Sequence, residues 1–324
     1  MNLMIRVCLA CLVFALPAAA PATVIAADVN PESAKIAADM PIADLHMHPD
    51  TWMIPSVIRF WMDRNGVGWA GAGAKRGGRA TWENYAEKLG DRFIAFAGQS
   101  ELVTIYKESG IKAMLDAKNP GIQELYAAVE EDLKAGRIKG VGEIHINNRR
   151  FSSSDRFKRK GRTDAPSMRL FYALVARYGG FLTFHMEGDS DSVRQLETLL
   201  ASDRRGRVLL NHCGVFAGAK KVRSLLQRNP NLFCEISIRY PPVLKRSWGS
   251  YDDRKIFDSK GVEPDWLKLI EDYPDRFMIG TDTASESVYD EAIGTVRGGL
   301  LPYLRPATAR MVAHENAQRL FGLK

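Results

Sequence analysis

The sequence predicts a single (β/α)8 barrel behind a short export segment. Three observations point to it. Eight short apolar runs alternate with longer amphipathic stretches, the pattern of a parallel sheet whose strands are joined by helices. The eight units fill about 280 residues, the length such a barrel needs. Polar residues gather at the C-terminal ends of the apolar runs, the face on which barrels build their sites.

The expected strands are 42–48, 66–71, 92–97, 139–146, 181–185, 207–212, 232–238 and 276–281. Amphipathic segments 102–115 and 121–134 precede the fourth strand. Segments 167–178, 190–201, 219–229 and 265–273 precede the fifth to eighth, and 288–303 and 307–320 close the chain. Gly179-Gly180 and Asn229-Pro230 read as helix ends and Glu263-Pro264-Asp265 as a helix start. A doubly wound open sheet is the alternative. The chain has no Gly-x-Gly-x-x-Gly after a strand, so dinucleotide binding has no support.

Composition sets the outer limits. The chain has 324 residues, 46% hydrophobic and 26% charged, which excludes a disordered, fibrous or polytopic membrane protein. Residues 1–27 read as a signal peptide. Arg6 precedes an apolar run from Val7 to Leu16, Pro17 interrupts it, and Ala20-Pro21-Ala22 offers a small-x-small cleavage pattern. Residues 28–40 are then a linker and 41–324 the barrel, and the protein is expected to be secreted or periplasmic. Cys8 and Cys11 lie inside the apolar run, which leaves Cys213 and Cys234: a disulfide framework is excluded, while one bond or two buried thiols are both open.

Side chains two apart on a strand share a face. Asp44, His46 and His48 therefore share one, as do Glu143, His145 and Asn147, and Thr183 and His185. His212 and Asp282 stand at or just past the ends of the sixth and eighth strands. Five of the six histidines are in this set, with carboxylates in the same register; His314 is the exception. Imidazole with carboxylate is the donor set for zinc and related divalent ions. On the seventh strand Glu235, Ser237 and Arg239 share a face. They read either as a buried Glu–Arg pair or with Arg239 binding a substrate carboxylate or phosphate.

Asp44-Leu45-His46-Met47-His48 resembles the His-x-His signature of the metal-dependent amidohydrolase superfamily. His185, His212 and Asp282 in Ile279-Gly280-Thr281-Asp282 follow in the matching order. The ending from His314 to Leu323 resembles the closing helix of the amidohydrolase-related branch, which includes metal-dependent decarboxylases and lactonases. Gly142-Glu143-Ile144-His145 resembles the fourth-strand motif of the TatD-like deoxyribonucleases. The resemblance spans roughly residues 40–324 and implies the following roles. His46, His48 and Asp282 bind one divalent ion, expected to be Zn2+. His185 and His212 bind a second, or His185 joins the first. Glu143 bridges two ions, since no lysine takes an inward position on that strand. His145 faces the substrate. Asp282 and His212 are the catalytic candidates: a bound divalent ion lowers the pKa of its water to about 7, and Asp282 accepts that proton and passes it to the leaving group. Asp44 is either a support for the imidazoles or a structural carboxylate.

Long segments follow the second, fourth and seventh strands, at 71–83, 147–165 and 240–263. The first is glycine-rich and basic and reads as mobile; Trp52, Trp61, Trp69 and Trp82 lie near it in sequence and read as core packing or an aromatic wall. Residues 149–162 of the second explain +6 of the net charge of +7, and Arg6 of the leading segment supplies the remaining +1. Arg149, Arg150, Arg156, Lys158, Arg159, Lys160 and Arg162 face one acid, Asp155, so that loop holds the excess and the rest of the chain is balanced. Such a loop suits steering of an anionic ligand. The expected activity is hydrolysis of an ester, lactone, amide or related bond in a small molecule. The alternatives are a decarboxylase, with Arg59, Arg64 or Arg239 on a carboxylate, a TatD-like nuclease, or a non-catalytic ligand or metal binder. Nucleic acid and, after signal cleavage, membrane are not expected partners.

Overall fold

The computed structural model describes residues 28–48, 53–73, 77–148, 158–241, 255–283 and 285–324. Eight parallel strands close into a barrel: β1 (Ile42–Asp44), β2 (Val67–Gly73), β3 (Phe93–Gly98), β4 (Gly140–His145), β5 (Phe181–His185), β6 (Arg207–Leu210), β7 (Leu232–Ile236) and β8 (Phe277–Ile279). Neighbours follow chain order, and β8 closes on β1 with Asp44 opposite Ile279. An open doubly wound sheet is thereby excluded.

Several strands stop short of their expected C-terminal ends. The sixth ends at Leu210 and a 3-10 turn, Asn211–Cys213, carries His212; the eighth ends at Ile279. The cause is local. His212, Ile238 and Asp282 have left-handed backbone, at φ 57, 46 and 51, which no strand accommodates. In β1 a bend at Leu45 breaks the alternation. Asp44 therefore leaves the face of His46 and His48, and its oxygens accept from the N–H of His46 and from the N–H and hydroxyl of Thr281. It ties β1 to the end of β8, and burial pushes its carboxyl up to about 6.

Helices cover the outside. Proline opens six of the α-helices among the described residues, at Pro31, Pro55, Pro120, Pro166, Pro264 and Pro306, where a missing N–H costs nothing. Asn119 and Asp189 cap two helices through their side chains. Three helices were not expected: Pro31–Asp39, Pro55–Asn65 and Gly78–Leu89. The first lies in the segment read as a linker and is anchored by Ser33 Oγ donating to Leu304 O at 2.6 Å. The third takes up much of the glycine-rich segment.

The barrel interior is filled. Ala43, Leu45, Trp69, Ile94, Phe96, Phe181, Leu209, Phe233 and Met278 pack together, closed from the N-terminal end by Ala317 and Phe321 of the last helix. The Phe181 ring lies 5.5 Å from that of Phe233 and 4.7 Å from that of Phe321. Burying each such ring contributes about 1.5–3 kcal/mol. The plug leaves the C-terminal end as the place for a site.

Trp61, Trp69 and Trp82 are buried and pack against different partners, Tyr289, His314 and Arg79, which supports core packing over an aromatic wall. Trp52 lies outside the described residues. Arg59 is exposed, and Arg64 pairs with Glu286 and Asp290 on the surface, so neither reaches the site. Cys213 and Cys234 are free, buried thiols. No helix among the described residues is long and apolar enough to cross a membrane. Residues 1–27, read as the signal, lie outside the described residues.

Candidate metal centre

Above the plug the strand ends bring His46, His48, Glu143, His145, His185, His212 and Asp282 together. His46 Nε2 lies 3.2 Å from His48 Nε2, 3.4 Å from Glu143 Oε1 and 3.5 Å from Asp282 Oδ1. His48 Nε2 lies 2.8 Å from Asp282 Oδ1 and 3.5 Å from Glu143 Oε2. On the other side of Glu143, Oε1 lies 3.0 Å from His185 Nδ1 and 3.3 Å from His212 Nε2, and Oε2 lies 3.0 Å from His145 Nε2. The side chains of His46, His48, Glu143, His185 and His212 are at most 3% exposed, while Asp282 keeps 18% at the open edge.

Hydrogen bonding alone does not explain this cluster. Glu235 Oε2 accepts from His46 Nδ1 at 2.7 Å, so in the neutral ring the Nε2 lone pair faces the other donors. Around a tetrahedral ion with bonds of about 2.0–2.1 Å, donor atoms stand about 3.4 Å apart. The separations here, 2.8–3.5 Å, bracket that edge. The electrostatics agree. Burial opposes a proton on His46, yet the carboxylates of Glu143, Asp282 and Glu235 raise its proton affinity well above the ordinary imidazole value. Burial likewise opposes charge on Glu143 and Asp282, but facing histidines hold both carboxyls well below the usual range. The pocket is built for positive charge. Two overlapping donor groups, His46–His48–Glu143–Asp282 and Glu143–His145–His185, share Glu143.

The amidohydrolase family model matches residues 43–323, which takes in every residue of this cluster. The chain belongs to the amidohydrolase family. It is a metal-dependent enzyme of that superfamily. Among solved structures this amidohydrolase is similar to a 2,6-dihydroxybenzoate decarboxylase from Rhizobium, at 13% identity and TM-score 0.51, over 88% of this chain and 99% of that one. It is similar also to a probable 2-pyrone-4,6-dicarboxylic acid hydrolase from Acinetobacter baumannii with citric acid bound, at 15% identity and TM-score 0.52, over 87% and 100%. A third is a dihydroxybenzoic acid decarboxylase from Polaromonas with bound manganese and an inhibitor, at 14% identity and TM-score 0.50, over 88% and 97%. At these identities the likeness is one of fold. A sequence search of curated proteins finds no match.

Two groups belong to this amidohydrolase's site that the sequence did not assign to it: Glu235, read there as the mate of Arg239, and Gln99. Glu235 orients both halves of the cluster: besides holding His46 Nδ1, its Oε2 accepts from Ser237 Oγ at 3.1 Å, and Ser237 in turn lies 2.6 Å from His212 Nδ1. Each ring is thereby turned to present Nε2 to the centre. Gly280 makes room for this, since a Cβ there would stand 2.2 Å from Glu235 Oε1 and 2.6 Å from His46 Cβ. Gln99, just past β3, places Nε2 3.4 Å from Glu143 Oε2. Its position at a strand end was the available signal. Glu235→Gln is expected to weaken metal affinity 10- to 100-fold, the range for such supporting groups, in competition with a chromogenic chelator.

Arg239 departs from both of its expected roles. It is 1% exposed and donates to the carbonyls of His212 and Gly214 at 3.2 Å and of Ala217 at 2.9 Å, so it holds the turn that carries His212. Because β7 ends at Ile236 and Ile238 is left-handed, Arg239 leaves the strand register, and Glu235 turns to His46 instead. His145 stacks on His185 with ring centroids 4.5 Å apart, and burial lowers its pKa to about 4, which keeps the ring neutral. Asn147 lies apart from the cluster, bonded to Thr163 and Gln195.

Proposed function

We propose that this amidohydrolase is an exported, zinc-dependent hydrolase that cleaves an ester, lactone, amide or related C–O or C–N bond in a small molecule. The carrying observation is Asp282, a carboxylate 2.8 Å from His48 Nε2 and, at 18%, the most exposed side chain of a cluster whose other members are at most 12% exposed. His46, His48 and Asp282 would hold one ion, and His185 and His212 a second across Glu143. Imidazole with carboxylate suits zinc, and the oxygen donors of Glu143 and Asp282 also suit manganese. When bound, such an ion supplies Lewis acidity, bringing the pKa of a water from 15.7 to about 7 and polarising a carbonyl.

The chain's own groups do the rest. Asp282, held ionised by His46 and His48, takes the proton of the attacking water and returns it to the leaving group. Glu235 and Ser237 fix the imidazole tautomers. The aromatic plug below the cluster keeps water out from beneath. Export rests on Arg6, the apolar run and the small-residue cleavage pattern of residues 1–27. A panel of lactones, esters, amides and phosphoesters tests the reading. Hydrolysis that disappears on chelation and returns with zinc is expected. Hydrolysis that survives complete removal of metal would sink it, and CO2 release from an aromatic acid without hydrolysis would replace it with decarboxylation.

A further inference from the structure

Seven basic residues crowd the segment after β4, and one of the described four behaves unlike the others. Arg159 pairs back on the end of β4 through its main-chain N–H, which donates to Asn148 O at 2.7 Å. Its side chain is inside the molecule, with the residue only 6% exposed. The guanidinium lies 4.5 Å from the centre of the Tyr106 ring, and Nη1 makes a long 3.5 Å contact with His145 O. Nε is buried without a hydrogen-bond partner. Among the described residues no carboxylate stands within ion-pair distance of it. The other deeply buried arginine, Arg239, spends its donors on three carbonyls.

A buried guanidinium with so little compensation is costly, and an anion removes that cost. Glu143 favours the charge on Arg159 but does not pair with it, because histidines and Gln99 surround its oxygens. Two further buried atoms beside Glu143 have no partner, His145 Nδ1 and Gln99 Oε1. Together with Arg159 Nε, these atoms place three unsatisfied polar groups beside Glu143 on the β4 side of the metal cluster.

We infer that Arg159 is the substrate anchor of this amidohydrolase, and that the group it binds is a carboxylate. The inference rests on the cluster being the active site. Tyr106 covers a face of the guanidinium, leaving its edge for a planar two-oxygen group. One buried cation matches the single charge of a carboxylate, whereas a phosphate dianion calls for a second.

The test is calorimetric titration of the full chain, both zinc-loaded and chelator-treated. The probes are benzoate and succinate, with benzamide as the uncharged match for benzoate and inorganic phosphate as the competing anion. Carboxylates are expected to bind the wild type and to lose about tenfold or more in affinity, some 1.4 kcal/mol, in Arg159→Met. Arg159→Lys, which keeps the charge without the fork, is expected to fall between, and benzamide binding should not change. Zinc content should be the same in all three proteins, so a failure of the metal reading shows separately from a failure here. Equal carboxylate affinity in the wild type and Arg159→Lys or Arg159→Met would overturn the inference. So would the lack of carboxylate binding to the wild type up to about 10 mM, or Arg159-dependent binding of phosphate in its place.

Discussion

His48→Ala protein is expected to purify without its divalent ion and to lose about 10³-fold or more in kcat/KM, the several kcal/mol of transition-state stabilisation that a metal supplies. The ring it removes supplies a nitrogen 3.2 Å from His46 Nε2 and 2.8 Å from Asp282 Oδ1. No neighbouring donor replaces it, since His46 already faces the same point. His46→Ala should behave alike in metal content but with a second cost. It strands Glu235, whose Oε2 then keeps only Ser237 Oγ and the N–H of His212, and an under-satisfied buried carboxylate destabilises by about 1–3 kcal/mol or more. Elemental analysis of the purified variants and their thermal midpoints separate the two effects. Retention of metal and activity in His48→Ala would remove that imidazole from the ligand set.

Glu143→Gln carries the next largest effect. Glu143 is 2% exposed at the side chain and touches five imidazoles within 3.5 Å. The substitution keeps the shape and removes the charge that those rings hold ionised. Two donor groups lose their common anion at once, so metal per chain should fall by more than in His145→Ala, whose ring belongs to one group. Activity should drop by at least about 10²-fold. Metal content and kcat/KM of the two variants, measured side by side, check this. An unchanged metal content in Glu143→Gln would make the residue a structural carboxylate.

The fold was legible because its signal is local. Alternation of apolar runs and turn residues marks each strand from its own few residues, and the His-x-His pair needs only two positions on one extended segment. His185 follows the same rule, while Asp282 was marked by its position just past the expected end of the eighth strand and by the family resemblance. What escaped depends on partners far away in sequence. Glu235 looked like the mate of Arg239, four residues on, until the end of β7 at Ile236 and the left-handed Ile238 took Arg239 out of register. Its real partner, His46, is 189 residues distant. Asp44 seemed to share the histidines' face because nothing in Asp44-Leu45-His46 announces the bend at Leu45. Arg159 was one of seven basic residues that composition cannot tell apart. Only the fold-back onto Asn148 and the resulting burial distinguish it. Gln99 carries neither an imidazole nor a charge, so its residue type does not mark it as part of a metal centre. The helix Pro31–Asp39 was missed because its partner, the stretch around Leu304, comes at the far end of the chain.

The central claim is that the histidine and carboxylate cluster at the barrel mouth holds a catalytic divalent ion. Elemental analysis of purified full-length protein, before and after dialysis against chelator and reloading with zinc, tests it most directly. The expected result is at least one divalent ion per chain, removed by chelation, restored by zinc and missing from His48→Ala. A wild-type protein that takes up no divalent ion at micromolar concentration, or takes it up equally after His46 and His48 are both replaced, would contradict it.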